Sequence, residues 1–317
     1  MNWNETRKKL LQLASGRPQR PIGEGFCPGE DGSDREVENE SEGEVACTAR
    51  AASLCIASGK GGTGKSVVTA SLASLLAARG KTLIVDADMG VGNAHILQDV
   101  SPPATFVDVV EGRIGVCEAV VECGGELDLV AAGSGVPRMA DLSSYELHVI
   151  ASGLEELEPG YRFVLVDSAA GVSRQTLAFA RACDLALIVT TPDLTAMTDA
   201  YAFLKLLVAG RSGARPLLLV NRARDEEEAE EVARRILRVG ERFLGLAPKR
   251  IGWLPDDPAV SACVNRRGAV VDLDPSAEVS RSLRQVAVAV LQELGKIQPQ
   301  GLGRTLRGEV GYAARLA

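Results

Sequence analysis

A chain of 317 residues with 46% hydrophobic content can bury one large α/β core without a second domain. Its formal net charge of −7 argues against nucleic acid as a partner held by general electrostatics. Seven cysteines, an odd number with no C-x-x-C pair, exclude a disulfide framework and point to a reducing cytoplasm. No run reaches the roughly 18 apolar residues of a spanning helix, so any membrane contact is expected to be peripheral.

In chain order, residues 1–15 are expected to form a short helix with Leu10, Leu11 and Ala14 on one side, marginal by itself. Residues 16–50 turn rich in Gly, Pro and acid, with Glu36, Glu38, Glu40, Glu42 and Glu44 at alternate positions, and read as a disordered acidic linker. Residues 51–295 then alternate short apolar runs with helix-like segments. The strands are predicted at 54–57, 82–85, 163–166, 185–189, 217–220 and 251–254, and helices at 66–79, 175–182, 199–209 and 226–239. Such alternation builds parallel βαβ units: an α/β fold with a mostly parallel β-sheet covered by helices on both faces.

The first strand runs into Gly59-Lys60-Gly61-Gly62-Thr63-Gly64-Lys65-Ser66, which satisfies the phosphate-loop pattern G-x-x-x-x-G-K-[ST] between a strand and a helix. Its glycines let backbone N–H groups turn inward at phosphate oxygens, and the helix N-terminus adds partial positive charge. Lys65 is placed to reach the β- and γ-phosphates, and the Ser66 hydroxyl to ligate Mg²⁺. This is a nucleotide triphosphatase pattern, a P-loop NTPase. Lys60 is the unusual member, because an ordinary loop has no need of a lysine there; a solvated surface lysine is the plainer reading.

The remaining polar residues fall at predicted strand ends, where open α/β sheets gather their chemistry. Strand 82–85 delivers Asp86 and Asp88, then the loop Met89-Gly90-Val91-Gly92-Asn93; a site pair and a turn-and-cap pair are both open. Strand 163–166 ends in Asp167, as a Walker B acid that accepts from water around Mg²⁺ would. Strand 217–220 ends in Asn221, and strand 251–254 in the rigid turn Pro255-Asp256-Asp257-Pro258. No T-K-x-D element for guanine is present, so ATP is the expected nucleotide. In the tail, residues 296–317, Leu302, Leu306, Val310, Ala313 and Ala317 follow helical spacing beside Arg304, Arg307 and Arg315. That is the pattern of a helix lying on an anionic membrane surface, weakened by Gly303, Gly308 and Gly311; a frayed end fits as well.

The K-G-G-T-G-K-S loop resembles the deviant phosphate loop of the MinD/ParA ATPases. That resemblance implies that Lys60 crosses to the ATP of a second subunit in a nucleotide-sandwich homodimer. It also implies that Asp88 orients the attacking water, that Asp86 supports the Mg²⁺ site, and that Asn221, Pro255 and Asp256 hold the adenine. Within the family, D-A-D-M-G-V-G-N-A-H, Ala131-Ala132-Gly133-Ser134-Gly135, D-S-A-A-G-V-S and Thr190-Thr191-Pro192-Asp193 with Thr198-Asp199-Ala200-Tyr201-Ala202 resemble the FlhG (FleN) branch. Members of that branch control flagellar number and placement, and an FlhF-like GTPase is the implied partner. The D-Q-A helix that stimulates this GTPase has only a loose counterpart in Asn4 to Leu10. MinD-type division regulators and ParA-type partition ATPases share the same catalytic residues.

Overall fold

The computed structural model describes residues 50–133, 135–210 and 213–313. The expected N-terminal helix and all but the last residue of the acidic linker lie outside these residues, as do Ser134, Arg315 and Ala317.

Side-chain alternation decides the layers. Along β1 (Ala52–Ser58), Leu54 and Ile56 enter one core while Cys55 and Ala57 enter the other, so the strand is buried on both faces. It is flanked by β5 (Phe163–Ala170) and β6 (Leu185–Thr190), both parallel to it. The remaining strands are β2 (Thr82–Ala87), β3 (Val120–Gly124), β4 (Leu127–Val130), β7 (Arg215–Ala223) and β8 (Lys249–Pro255). The sheet order is β3-β4-β2-β5-β1-β6-β7-β8, with only the edge strand β3 antiparallel.

Helix α1 (Lys65–Ala77) packs Val68, Leu72 and Leu76 onto the Leu54/Ile56 face, together with α6 (Pro258–Asn265) and α7 (Glu278–Leu294). The opposite face carries α2 (Ser144–Leu157), α3 (Arg174–Ala182), α4 (Leu194–Ala209), α5 (Glu226–Leu244) and α8 (Leu302–Ala313). All six predicted strands are present, and β2 and β5 run further than their apolar residues, so that Asp86 and Asp167 are themselves strand residues. Helix α4 begins at Leu194, ahead of the expected 199, because Asp193 caps it by accepting from Ala196 N at 2.9 Å. The β3–β4 hairpin and helices α2, α6 and α7 were not among the predicted elements.

The C-terminal segment departs from expectation. The residues expected to form a lipid-facing stripe, Leu302, Leu306 and Val310, are buried in the same core as Ile150 and Leu154 of α2. Gly303, a weakness in an interfacial helix, permits a close helix contact: a Cβ there would lie 2.3 Å from Glu155 N and 2.5 Å from Ala151 O. Arg307, expected to meet lipid, pairs with Glu155 at 2.9 Å. The body therefore does not stop at 295 but continues through α8, whose apolar face packs into the protein core. Among the described residues no helix is long and apolar enough to cross a membrane.

Candidate functional site

The parallel strands bring their carboxyl ends to one edge of the sheet, and the polar residues collect there. Leaving β1, the chain turns through Gly62 (φ +78°) and Gly64 (φ +92°), left-handed conformations that glycine adopts without a Cβ penalty. Gly59 has a second constraint, since a Cβ on it would sit 2.1 Å from Asp199 O of α4. Helix α1 then starts at Lys65 with no side-chain cap and no acid in its first turn. Its free N–H groups and positive end are left for an anion. Lys65 is buried and donates to Ser58 Oγ at 3.1 Å; burial pulls its ammonium below the usual lysine range, against the opposing charges of Asp167 and Asp88.

Asp86 and Asp167 are opposite one another in the β2–β5 register, and both are buried. Burial pushes Asp167 up to about 6, and the hydrogen bonds from Ser66 and Thr69 and the charge of Lys65 pull the other way. Thr69 Oγ1 lies 3.2 Å from Asp167 Oδ1. Asp86 is raised well above the carboxylate range, first by burial and then by the nearby Asp167 charge. Two acids forced together away from water are a poor arrangement by themselves and a good one beside a cation. Asp86 accepts from Asp88 N at 3.1 Å and Ala94 N at 3.2 Å, while Asp88 accepts from Val91 N at 3.2 Å. The turn-and-cap reading of this pair is thus real, and it holds the 88–93 loop against Asp86. Gly92 allows that approach: a Cβ would fall 2.5 Å from Asp86 Oδ2.

Lys60 lies apart from Lys65 and is tied within its own chain. Its Nζ meets Asp193 Oδ1 at 3.0 Å and Thr195 Oγ1 at 2.7 Å. Hydrogen bonds from Thr191, Thr195 and Ala196 N hold the Asp193 carboxyl far below the usual range. Sequence reasoning missed Asp193 and Thr195 as holders of Lys60, although Asp193 three residues before Ala196 is an N-cap pattern. It also missed Ser58 and Thr69, whose only signal is their nearness to the loop on β1 and α1.

Beyond Gly62 and Gly64 opens a cavity of about 280 Å³, lined by Val67, Val260 and Leu283, by the buried Asn221 and Pro255, and by the exposed Asp256. The expected base-binding residues are therefore brought together. Asn221 also holds the loop: its Nδ2 donates to Thr63 O at 2.7 Å, and its Oδ1 accepts from Arg222 N at 2.9 Å. One amide N–H and one lone pair remain for a ligand. Gly64 must lack a Cβ, which would lie 2.3 Å from that Nδ2.

The residues present fit a nucleotide phosphate with one divalent cation. Thr63 Oγ1 is buried without a hydrogen-bond partner, the α1 N-terminus is uncapped, and the Asp86/Asp167 pair is one that a cation would relieve. Among the described residues no group of three or more His, Cys, Asp or Glu could hold a metal alone. A cation here would depend on the Ser66 hydroxyl and on oxygens of the nucleotide.

Residues 54–267 match the family model described as the CobQ/CobB/MinD/ParA nucleotide binding domain. The antiactivator FleN of Pseudomonas aeruginosa is 31% identical over 238 residues, which span 75% of this chain and 85% of FleN. The flagellum site-determining protein YlxH of Helicobacter pylori is 28% identical over 243 residues, 76% of this chain and 82% of YlxH. Among solved structures, the septum site-determining protein MinD complexed with Mg-ADP from Pyrococcus horikoshii matches with a TM-score of 0.64 at 22% identity, covering 78% of this chain and 98% of that one.

Proposed function

The chain belongs to the CobQ/CobB/MinD/ParA nucleotide-binding family, and from that premise we propose that it is an ATP-hydrolysing switch that dimerises around ATP and regulates flagellar number or placement. The observation that carries the ATPase reading is the convergence on one sheet edge of an uncapped helix N-terminus, Lys65, Ser66 and the facing acids Asp86 and Asp167. The flagellar reading is supported by FleN and YlxH as relatives.

Lys65 sets a positive charge opposite the β- and γ-phosphates, and the backbone of residues 59–64 cradles them. Ser66 and Asp167, with Asp86 behind, would hold Mg²⁺, which when bound offsets phosphate charge. Asp88 orients water for attack on the γ-phosphate; carboxylates are weak bases, so positioning suits it better than proton abstraction. Lys60 leaves Asp193 and reaches the ATP of the second copy. Hydrolysis removes the γ-phosphate contacts that order the 88–93 loop, and the pair separates. A flagellar regulator, an FlhF-like GTPase among the candidates, reads the surface that exists only in the dimer.

The test combines phosphate release with cell counts. Turnover per chain should be slow and rise with protein concentration, and a deletion strain should show altered flagellar number or position. Absence of hydrolysis by the folded chain with Mg-ATP overturns the enzyme reading. Normal flagella with misplaced septa would turn the cellular reading to division-site control.

A further inference from the structure

Resting on the reading of the 280 Å³ cavity as the base site, we infer that Arg222 sets its purine selectivity by withholding Asp256 from the base. Two features of the backbone converge on this residue. The β7–β8 register slips between Val220 and Ala223, a bulge that inserts Asn221 and Arg222 at the strand end. Arg222 takes φ +60°, a left-handed conformation that is strained for a non-glycine residue and persists only where surroundings enforce it. The result is an arginine re-aimed across the cavity mouth, where its Nε meets Asp256 Oδ1 at 3.1 Å.

Asp256 is the carboxylate that matters. Among the described residues two acids line the cavity, Asp256 and Asp257. Asp257 is engaged at both oxygens: it accepts from Ala259 N at 2.9 Å with one and from Val279 N at 3.2 Å with the other. Asp256 has its backbone anchored by Asp256 N donating to Ala223 O at 3.1 Å, and its side chain engages Arg222 at the solvent-exposed rim. Released from Arg222, it would be an acceptor pair at the edge of a purine pocket. Guanine offers such a pair two donors, N1–H and the N2 amino group, whereas adenine sets the lone pair of N1 against it. Held by Arg222 through Oδ1, the carboxylate must give up that ion pair before both its oxygens can face guanine, and its charge toward adenine is offset by the guanidinium. The selectivity is thus a matter of an acceptor already engaged.

The experiment is titration calorimetry of the full chain with Mg²⁺ and either ATPγS or GTPγS. The variants are Arg222→Gly, which suits the positive φ, Arg222→Met, which keeps the bulk of the cavity wall without a donor, and Arg222→Gly with Asp256→Ala. Wild type should prefer ATPγS. Both single variants should tighten GTPγS and lower the preference by up to about fivefold, the most that an exposed ion pair withholds. The double variant should lose that gain, because the acceptor is gone. An unchanged preference in either single variant that still binds nucleotide overturns the inference while leaving the base site standing. A shift that survives in the double variant also overturns it. Failure of wild type to bind either nucleotide overturns the base-site reading and the inference with it.

Discussion

Two lysines of one loop, bonded differently, define the site at the scale of single residues. Lys65 is buried beside two acids, and Lys65→Ala removes the charge facing the phosphates while Ser58 Oγ keeps its own bond to Lys60 O at 2.6 Å. Nucleotide affinity should collapse with the fold intact, which circular dichroism and titration calorimetry check together; near-normal Mg-ATP affinity would remove the loop from the phosphate role. Lys60 is about half exposed and pairs with an equally exposed Asp193, so the bond is worth about 0–1 kcal/mol. Asp193→Ala should therefore favour the ATP dimer by no more than about fivefold for each of its two lysines, about thirtyfold in all, since a lysine freed of its own chain is available to a partner. The same change removes the α4 cap at a cost of about 1 kcal/mol in stability. Light scattering that shows a weakened dimer would mean that Asp193 serves the partner and not the resting chain.

At the scale of elements, α8 is where sequence pattern and structure differ most. Its docking rests on Leu302, Leu306 and Val310 and on Glu158, whose Oε1 accepts from Gly303 N at 3.1 Å. Leu306→Ala should cost about 2–5 kcal/mol in urea unfolding, because it opens a core cavity, whereas a lipid-facing leucine would cost almost nothing. Burial, opposed by the backbone bonds and reinforced by Asp184 and Glu155, pushes Glu158 up to about 7. The native state thus prefers the neutral acid. Its contribution is fully present below the ordinary value of about 4.5 and is lost as pH rises through about 7. Glu158→Gln keeps the acceptor without the titration, so wild type should lose on the order of 1–3 kcal/mol relative to the variant between pH 5 and pH 8. Parallel pH profiles for the two proteins would refute a buried titrating carboxyl under α8.

At the scale of the molecule, the site stands open on one edge of the sheet, with a rim that the described residues leave uncovered. Val91, Val172 and Leu194 are exposed apolar residues, and each follows a strand end that bears the site. A second copy seated there would cover them while Lys60 reached across. Asp88→Ala should then hold ATP and accumulate as dimer, because water is no longer oriented while the γ-phosphate still orders the loop. Turnover should fall by orders of magnitude in a phosphate-release assay, with dimer persisting in size-exclusion chromatography. Unchanged hydrolysis would exclude Asp88 from the mechanism.

The phosphate loop, six of the eight strands and the strand-end acids were legible in the sequence because their signals are local runs and motifs. Apolar runs of four or five residues make buried strands, and glycines with a following helix make a cradle whatever packs around them. Legibility failed where a residue's role depends on a partner far along the chain. Asp193 offers the sequence no more than a local cap pattern, and only the fold sets it beside Lys60, 133 positions away. Arg222 has no local signal at all, since its direction comes from a bulge against β8. The stripe of α8 has the same periodicity whether it meets lipid or protein, and Gly303 looks like a defect until Ala151 and Glu155 come within reach. Periodicity states that a face is apolar; only the tertiary structure decides what covers it, because burial is a property of two surfaces, and the chain writes those of α2 and α8 far apart, in order of synthesis and not of contact.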